Sequence, residues 1–249
     1  MSRERRPLRS DIAWSAPDRI VVRGYDLAGE LLGRVNLGDM AFLGLMGRLP
    51  TPQESAVFNA MLVALVEHGL TPSALAARLT YLGAPEALQG AVAAGLLGLG
   101  NVFVGSLEGA ARMLQEALEG IPTEADLRPI AARVVAGFAE RKALIPGIGH
   151  PIHKPVDPRT PRLFAIAAEA EGRFGRSLPV NATGAVGALA SELGIPWQVC
   201  RGLGVMARAV GLVGHILEEM RQPLAEEVWL RVDAEATAHL WDPAKQSDP

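Results

Sequence analysis

The chain has 249 residues, 49% of them hydrophobic and 20% charged, with a formal net charge of −3. At roughly 150 residues per domain that length holds one large domain or two small ones. The apolar share excludes intrinsic disorder, and the lack of a global positive charge excludes a strongly basic nucleic-acid binder. The single Cys200 cannot close an internal disulfide, which fits a reducing cytoplasm. Aromatic residues make up only 5% of a chain rich in Ala and Leu and punctuated by 27 Gly and 18 Pro. That composition predicts an all-α protein of many short helices.

In chain order, residues 1–18 carry Arg3, Arg5, Arg6 and Arg9 with no apolar run behind them. They read as a flexible arm rather than a secretory signal. Residues 19–25 (RIVVRGY) and 31–35 (LLGRV) predict one short β-hairpin around Ala28-Gly29-Glu30. Asp39 is the candidate cap of a first helix through Phe42, Leu43 and Met46. Thr51-Pro52-Gln53-Glu54 is a capping box with proline at the first helical position, and the helix it opens should end at Glu67-His68-Gly69. Thr71-Pro72-Ser73 opens the next helix, which Gly83-Ala84-Pro85 closes. Residues 87–107 are uncharged and long enough to span a bilayer. Their glycines, with Gln89, Asn101 and Ser106, favour a buried helix in close helix–helix contact instead. An amphipathic segment over 107–118 stops at Gly120, and Thr123 and Asp126 cap a helix through Lys142. Pro146-Gly147-Ile148-Gly149-His150-Pro151 forces an irregular loop, and residues 154–161 (KPVDPRTP) are a candidate hinge. Further helices should run from Thr160-Pro161 to about Phe174, over 180–192 and over 196–220, with a frayed tail at 242–249.

Four features could carry chemistry. His68 sits at a helix end beside Gly69, as a surface cap or as a site residue. The glycine-rich loop holds His150, with His153 close behind, and its backbone can approach a ligand. No third ligand supports a metal there, so none is assigned. Asp157-Pro158-Arg159 and Arg162 offer guanidinium forks, either for an anion or for ordinary surface ion pairs. Arg208 stands inside an apolar helix, where it needs an anion or an escape to solvent, and His215 follows two turns later. Together these groups suit a small molecule with several carboxylates. There is no GxxxxGK[ST] loop, no GxGxxG after a strand and no GxSxG elbow.

Several motifs resemble the citrate synthase superfamily: Arg23-Gly24-Tyr25-Asp26-Leu27, Gly47-Arg48-Leu49-Pro50-Thr51, Pro146-Gly147-Ile148-Gly149-His150 with Asp157-Pro158-Arg159, and Ala207-Arg208-Ala209-Val210-Gly211 with His215. Within it the likeness is closest to citryl-CoA lyases, including the lyase module of ATP-citrate lyase. Phe103 stands where synthases place a catalytic His, and Glu67-His68-Gly69 is similar to the lyases' DHG. The resemblance implies a multi-helical fold with a large domain (19–104 and 205–241), a small domain (105–204) and a cleft between them. It implies a homodimer or higher homo-oligomer, no membrane or nucleic-acid partner, and no permanently bound cofactor. A CoA thioester and a di- or tricarboxylate would be the ligands.

By position, His68, His150 and Thr183 would be the catalytic set, and Arg159, Arg208, Asn181 and Phe103 would bind substrate. Pro146, Gly147, Ile148 and Gly149 would meet the CoA arm. Two departures matter. Pro151 follows the motif His where many relatives have Arg, and Thr183 stands where the family has a catalytic Asp. Threonine cannot exchange a proton with the acetyl-CoA methyl group near neutral pH, a loss of about two to four powers of ten in rate. The expected activity is cleavage of citryl-CoA, or a related carboxylated 3-hydroxyacyl-CoA, to acetyl-CoA or another acyl-CoA and oxaloacetate or another 2-oxo acid. The alternative is a catalytically impaired CoA- or citrate-binding partner or sensor subunit. Condensation, as in a synthase, is disfavoured by Phe103.

Overall fold

Local side-chain chemistry sets the amino-terminal structure. The computed structural model describes residues 8–149, 153–154, 156–171 and 180–240. Strands β1 (Ala13–Ala16), β2 (Arg19–Val22) and β3 (Tyr25–Asp26) form an antiparallel sheet in that order. Ala13 pairs with Val22 and Ala16 with Arg19, and Val22 also faces Tyr25. Two expectations are corrected here. Ala13–Ala16 is a strand rather than part of a flexible arm, and residues 31–35 do not form the second arm of a hairpin. The Asp26 carboxylate accepts from Gly29 N, and the Glu30 carboxylate accepts from Asp26 N, each at 2.6 Å. These bonds roll Leu27–Leu31 into one wide helical turn, because side-chain acceptors outcompete a strand ladder there.

Ten α-helices follow among the described residues: α1 (Leu37–Met46), α2 (Pro52–Val66), α3 (Pro72–Gly83), α4 (Leu88–Leu97), α5 (Gly105–Leu118), α6 (Arg128–Glu140), α7 (Arg159–Glu171), α8 (Ala182–Glu192), α9 (Trp197–Arg221) and α10 (Ala225–Thr237). Thr51 and Glu54 make the capping box of α2 in both directions, and Thr71 caps α3. The cap of α1 is Asn36 rather than Asp39; Asp39 instead accepts from Ser55 Oγ at 2.6 Å and Asn59 Nδ2 at 3.0 Å, tying α1 to α2.

The uncharged segment 87–107 is not one helix. It breaks between α4 and α5, where Gly98 and Gly100 lower the helical propensity. The close contact expected of it is present in α4. A Cβ on Gly95 would lie 2.7 Å from Leu212 of α9 and 2.9 Å from the Ser73 carbonyl of α3. Helix α9 runs through the centre, packed against α2, α3, α4, α5 and α8. It is the one described helix long and apolar enough to cross a membrane, with a mean hydropathy of 1.3. Here its Leu203, Ala207, Leu212 and Ile216 are buried in the protein interior. Phe42 and Phe58 meet edge to face at 5.3 Å in a core shared with Met61, Leu107, Val186 and Ile195. Helix α10 has no counterpart in the sequence reading. Glu219 starts it by accepting from Leu224 N at 2.8 Å and Ala225 N at 2.7 Å.

Candidate active site

The end of α2 is shaped by backbone contact. A Cβ on Gly211 of α9 would lie 2.2 Å from the Val66 carbonyl, so only glycine lets the two elements meet. Glu67 leaves the helix in an extended conformation, and Gly69 takes a left-handed one (φ 77°). The Glu67 carboxylate accepts from the amides of His68 and Gly69, both at 2.7 Å. Burial pushes this carboxyl up, but the His68 amide, His215 and the Gly69 amide together hold it below its ordinary value. The turn presents the His68 ring, whose Nε2 lies 3.1 Å from His153 Nε2, with the two rings edge to face.

Across from it, Asp157 organises the starts of α7 and α8. Its carboxylate, 2% exposed, accepts from Arg159 N, Nε and Nη2 at 3.1, 3.0 and 2.7 Å and from Ala182 N at 3.1 Å. Burial opposes ionisation, yet these donors hold the carboxyl well below the usual carboxylate range. Arg159 Nη1 also donates to the Ala64 carbonyl on α2 at 3.3 Å. A guanidinium has five N–H donors, so Arg159 keeps capacity for a ligand.

His68, Arg159, Arg208, Thr183 and Phe103 line one cavity of about 360 Å³, with Leu65, Leu70, Leu99 and Val104 as its apolar wall. Arg208 is 12% exposed and its Nη1 stands 3.6 Å from Glu67 Oε1. That nitrogen has no hydrogen-bond partner among the described residues. Burial lowers the Arg208 pKa, Glu67 opposes the shift and Arg159 adds to it. His68 is also held below its usual value by burial, then by the positive charges of Arg159, His153 and Arg208, with Asp157 opposing. A neutral imidazole beside two guanidiniums on an apolar wall suits an anion with more than one carboxylate.

The remaining candidates are placed as follows. Thr183 Oγ1 donates to Asn181 Oδ1 at 2.7 Å and lies 2.9 Å from Ser106 Oγ. Asn181 caps α8 by accepting from Gly184 N at 3.0 Å and donates to the Gly149 carbonyl at 2.6 Å. Its side chain is thus committed to the helix start and the loop, and it is not among the residues lining the cavity. Gly147 (φ 82°) meets α8 directly, since a Cβ there would lie 2.5 Å from Gly184 Cα. Ile148 bridges to Val180, a Cβ on Gly149 (φ 77°) would meet none of the described residues within 4 Å, and Pro146 packs near Gly109 of α5. His150 and Pro151 lie outside the described residues. Glu67 is legible in the sequence as part of a helix end and of a motif but not as a site residue, and Ser106 only as a polar residue. Arg78, 1% exposed in an apolar stretch of α3, was missed although the signal that picked out Arg208 applies to it equally.

The fold is mainly helical, and its cavity is lined by an imidazole and two guanidiniums. The family model of the citrate synthase C-terminal domain matches residues 36–227, so the chain belongs to the citrate synthase family. Its structure is similar to citryl-CoA lyase from Hydrogenobacter thermophilus, with 34% identity and a TM-score of 0.77 over 87% of this chain and 88% of that one. ATP citrate lyase from Methanothrix soehngenii, solved in complex with citrate and coenzyme A, shares the fold at 22% identity and a TM-score of 0.70, over 88% of this chain and 40% of that one. The probable ATP-citrate synthase of Dictyostelium discoideum is 25% identical over 237 residues, 82% of this chain but 37% of its own length. The citrate synthase of Deinococcus radiodurans is 24% identical over 235 residues, 86% of this chain and 59% of its own length. The chain thus spans less than two thirds of the length of these curated relatives.

Proposed function

We propose that the protein is a citryl-CoA lyase-like enzyme. It cleaves citryl-CoA, or a related carboxylated 3-hydroxyacyl-CoA, to an acyl-CoA and a 2-oxo acid. The observation that carries this reading is the convergence of His68, Arg159 and Arg208 on one cavity. The likeness to a citryl-CoA lyase over nearly the full length of both chains supports it. In this mechanism Arg208 and Arg159 hold carboxylates, and His150 takes the proton of the tertiary hydroxyl. The carbon–carbon bond breaks as that oxygen becomes a ketone, and its electron pair passes to the thioester enolate. The enolate is then protonated by water beside Thr183, or by His68 once it has taken up a proton beside the bound polyanion. CoA enters only as part of the substrate, along the 146–149 loop. We assign the cleft to the boundary between a large domain (19–104 and 205–241) and a small one (105–204). A homodimer is supported by the exposed apolar stripe Val210, Val213, Leu217 and Met220 on α9.

A second reading, a CoA- or citrate-binding subunit without turnover, is favoured by one observation: the Thr183 proton is directed at Asn181. Incubation with citryl-CoA and a coupled NADH assay for oxaloacetate tests the first reading. It predicts turnover above background; none with citryl-CoA or close analogues overturns it. Tight citrate or CoA binding by calorimetry without turnover selects the second.

A further inference from the structure

Behind the cavity runs a polar chain that touches none of the substrate space. Arg78 sits buried in α3, and a buried guanidinium demands acceptors. Its Nη1 donates to Glu219 at 2.7 Å, its Nη2 to Glu218, and its Nη2 and Nε reach His215 Nδ1 at 2.9 and 3.3 Å. Guanidinium nitrogens only donate, so His215 Nδ1 must accept and the ring proton sits on Nε2. That Nε2 lies 3.1 Å from the Glu67 carboxylate. Glu67 in turn accepts the amides of His68 and Gly69 and stands 3.6 Å from Arg208 Nη1. Gly211, one turn before His215 on α9, is what brings the helix close enough for this reach.

We infer that His215 and Arg78 are positioning residues for the reaction: they fix the Glu67 carboxylate, and through it the turn that presents His68 and the guanidinium of Arg208. Neither residue lines the cavity, so neither contributes to substrate binding directly. The inference rests on the lyase reading of that cavity. Glu219 already neutralises Arg78 at 2.7 Å. The imidazole is therefore not required to balance the buried charge, and its distinct contribution is the link to Glu67.

The test compares His215→Asn with His215→Gln. Asparagine keeps an acceptor for Arg78 but is too short to reach Glu67; glutamine restores a donor at the position of Nε2. The Asn variant should lose about tenfold to a hundredfold in kcat for citryl-CoA, the cost of slight misplacement of a reacting group. KM should be little changed, and the Gln variant should recover most of the rate. The isotope-labelled His68 backbone amide should shift in the Asn variant and stay in place in the Gln variant. An unchanged kcat and His68 amide in the Asn variant, or equal impairment of both variants, overturns the inference. If the wild-type protein does not turn over citryl-CoA, the lyase reading fails, and the His68 amide still decides this one. If His215→Asn does not fold, the nitrogen-15 ring signals of His215 in the wild-type protein decide: a proton on Nε2 with Nδ1 bare supports the link to Glu67, and a proton on Nδ1 overturns it.

Discussion

The Thr183 hydroxyl donates to the Asn181 side-chain oxygen at 2.7 Å, so its one proton is turned toward the α8 cap. Ser106 Oγ, at 2.9 Å, must then be a donor to Thr183. A carboxylate in place of Thr183 would keep the Ser106 donor and stand in the first turn of α8, where the helix dipole favours negative charge. Thr183→Asp should therefore fold and should raise citryl-CoA cleavage by about two to four powers of ten, the usual worth of a general acid–base group. Steady-state kcat/KM measures it. A variant no faster than wild type shows that the enolate receives its proton elsewhere.

Arg208 is partly buried, and its buried Nη1 lacks a hydrogen-bond acceptor among the described residues. Its ion-pair partner Glu67, at 3.6 Å, keeps the amides of His68 and Gly69 and the His215 ring when Arg208 is removed, so no carboxylate is left unpaired. Arg208→Leu should leave Tm unchanged or raised while weakening citrate binding by about 2 kcal/mol, the lower end of the cost of truncating a buried ionic contact. Calorimetry and thermal melting together check it. Unchanged affinity with a lowered Tm would mark Arg208 as a structural residue.

His68 titrates below its ordinary value because of burial and then the charges of Arg159, His153 and Arg208. The unfolded chain, with a pKa of about 6.5, binds this proton more readily than the folded one. The His68 contribution to stability is therefore present above about pH 6.5 and declines as the pH falls toward the folded value. Citrate, by neutralising the two guanidiniums, should raise the His68 pKa, read from its ring resonances. No upward movement at saturating citrate would place the anion outside this cavity.

Glu54 is held at about 2 by Arg48, with burial opposing and Thr51 assisting through its amide and hydroxyl. Its folded value lies below the ordinary 4.5, so its stabilisation is present above that pH and disappears as the pH falls to about 2. Glu54→Gln should cost about 1 kcal/mol at neutral pH, typical of a lost cap. Denaturation curves of the two proteins should converge in acid. A difference that persists at low pH would assign the loss to packing.

At Gly211 an added Cβ would lie 2.2 Å from the Val66 carbonyl and 3.0 Å from Glu67 Oε2. Gly211→Ala must push α2 away from α9, at about 1–3 kcal/mol for overpacking. Urea denaturation should show that loss, together with a displaced His68 amide. Wild-type stability would mean that the helices slide past one another freely.

Much of this site was legible because its signals are local or chemically forced. Thr51-Pro52-Gln53-Glu54 can do little but begin a helix, Gly69 ends a turn, and an Arg amid Val205, Met206, Ala207 and Ala209 has to find an anion or reach solvent. Pairings that depend on distant residues were not legible. Ala13–Ala16 is a strand because Arg19–Val22 lies beside it, and nothing in its own four residues says so. Asn36 and Asp39 both suit a cap, and the choice between them was made by Ser55 and Asn59 on another helix. Asn181 was read as a ligand contact because a motif places it there, whereas its amide bonds are exchanged with Gly149, Thr183 and Gly184. The role of Arg78 depends on α9, far along the chain, and on Glu67 beyond it.

Gly147 and Gly184 meet backbone to backbone, with no side chain interposed. Peptide groups in such contact have no rotamers with which to absorb a displacement. A displacement of residues 146–149 would therefore press directly on the first turn of α8, the turn that carries Thr183.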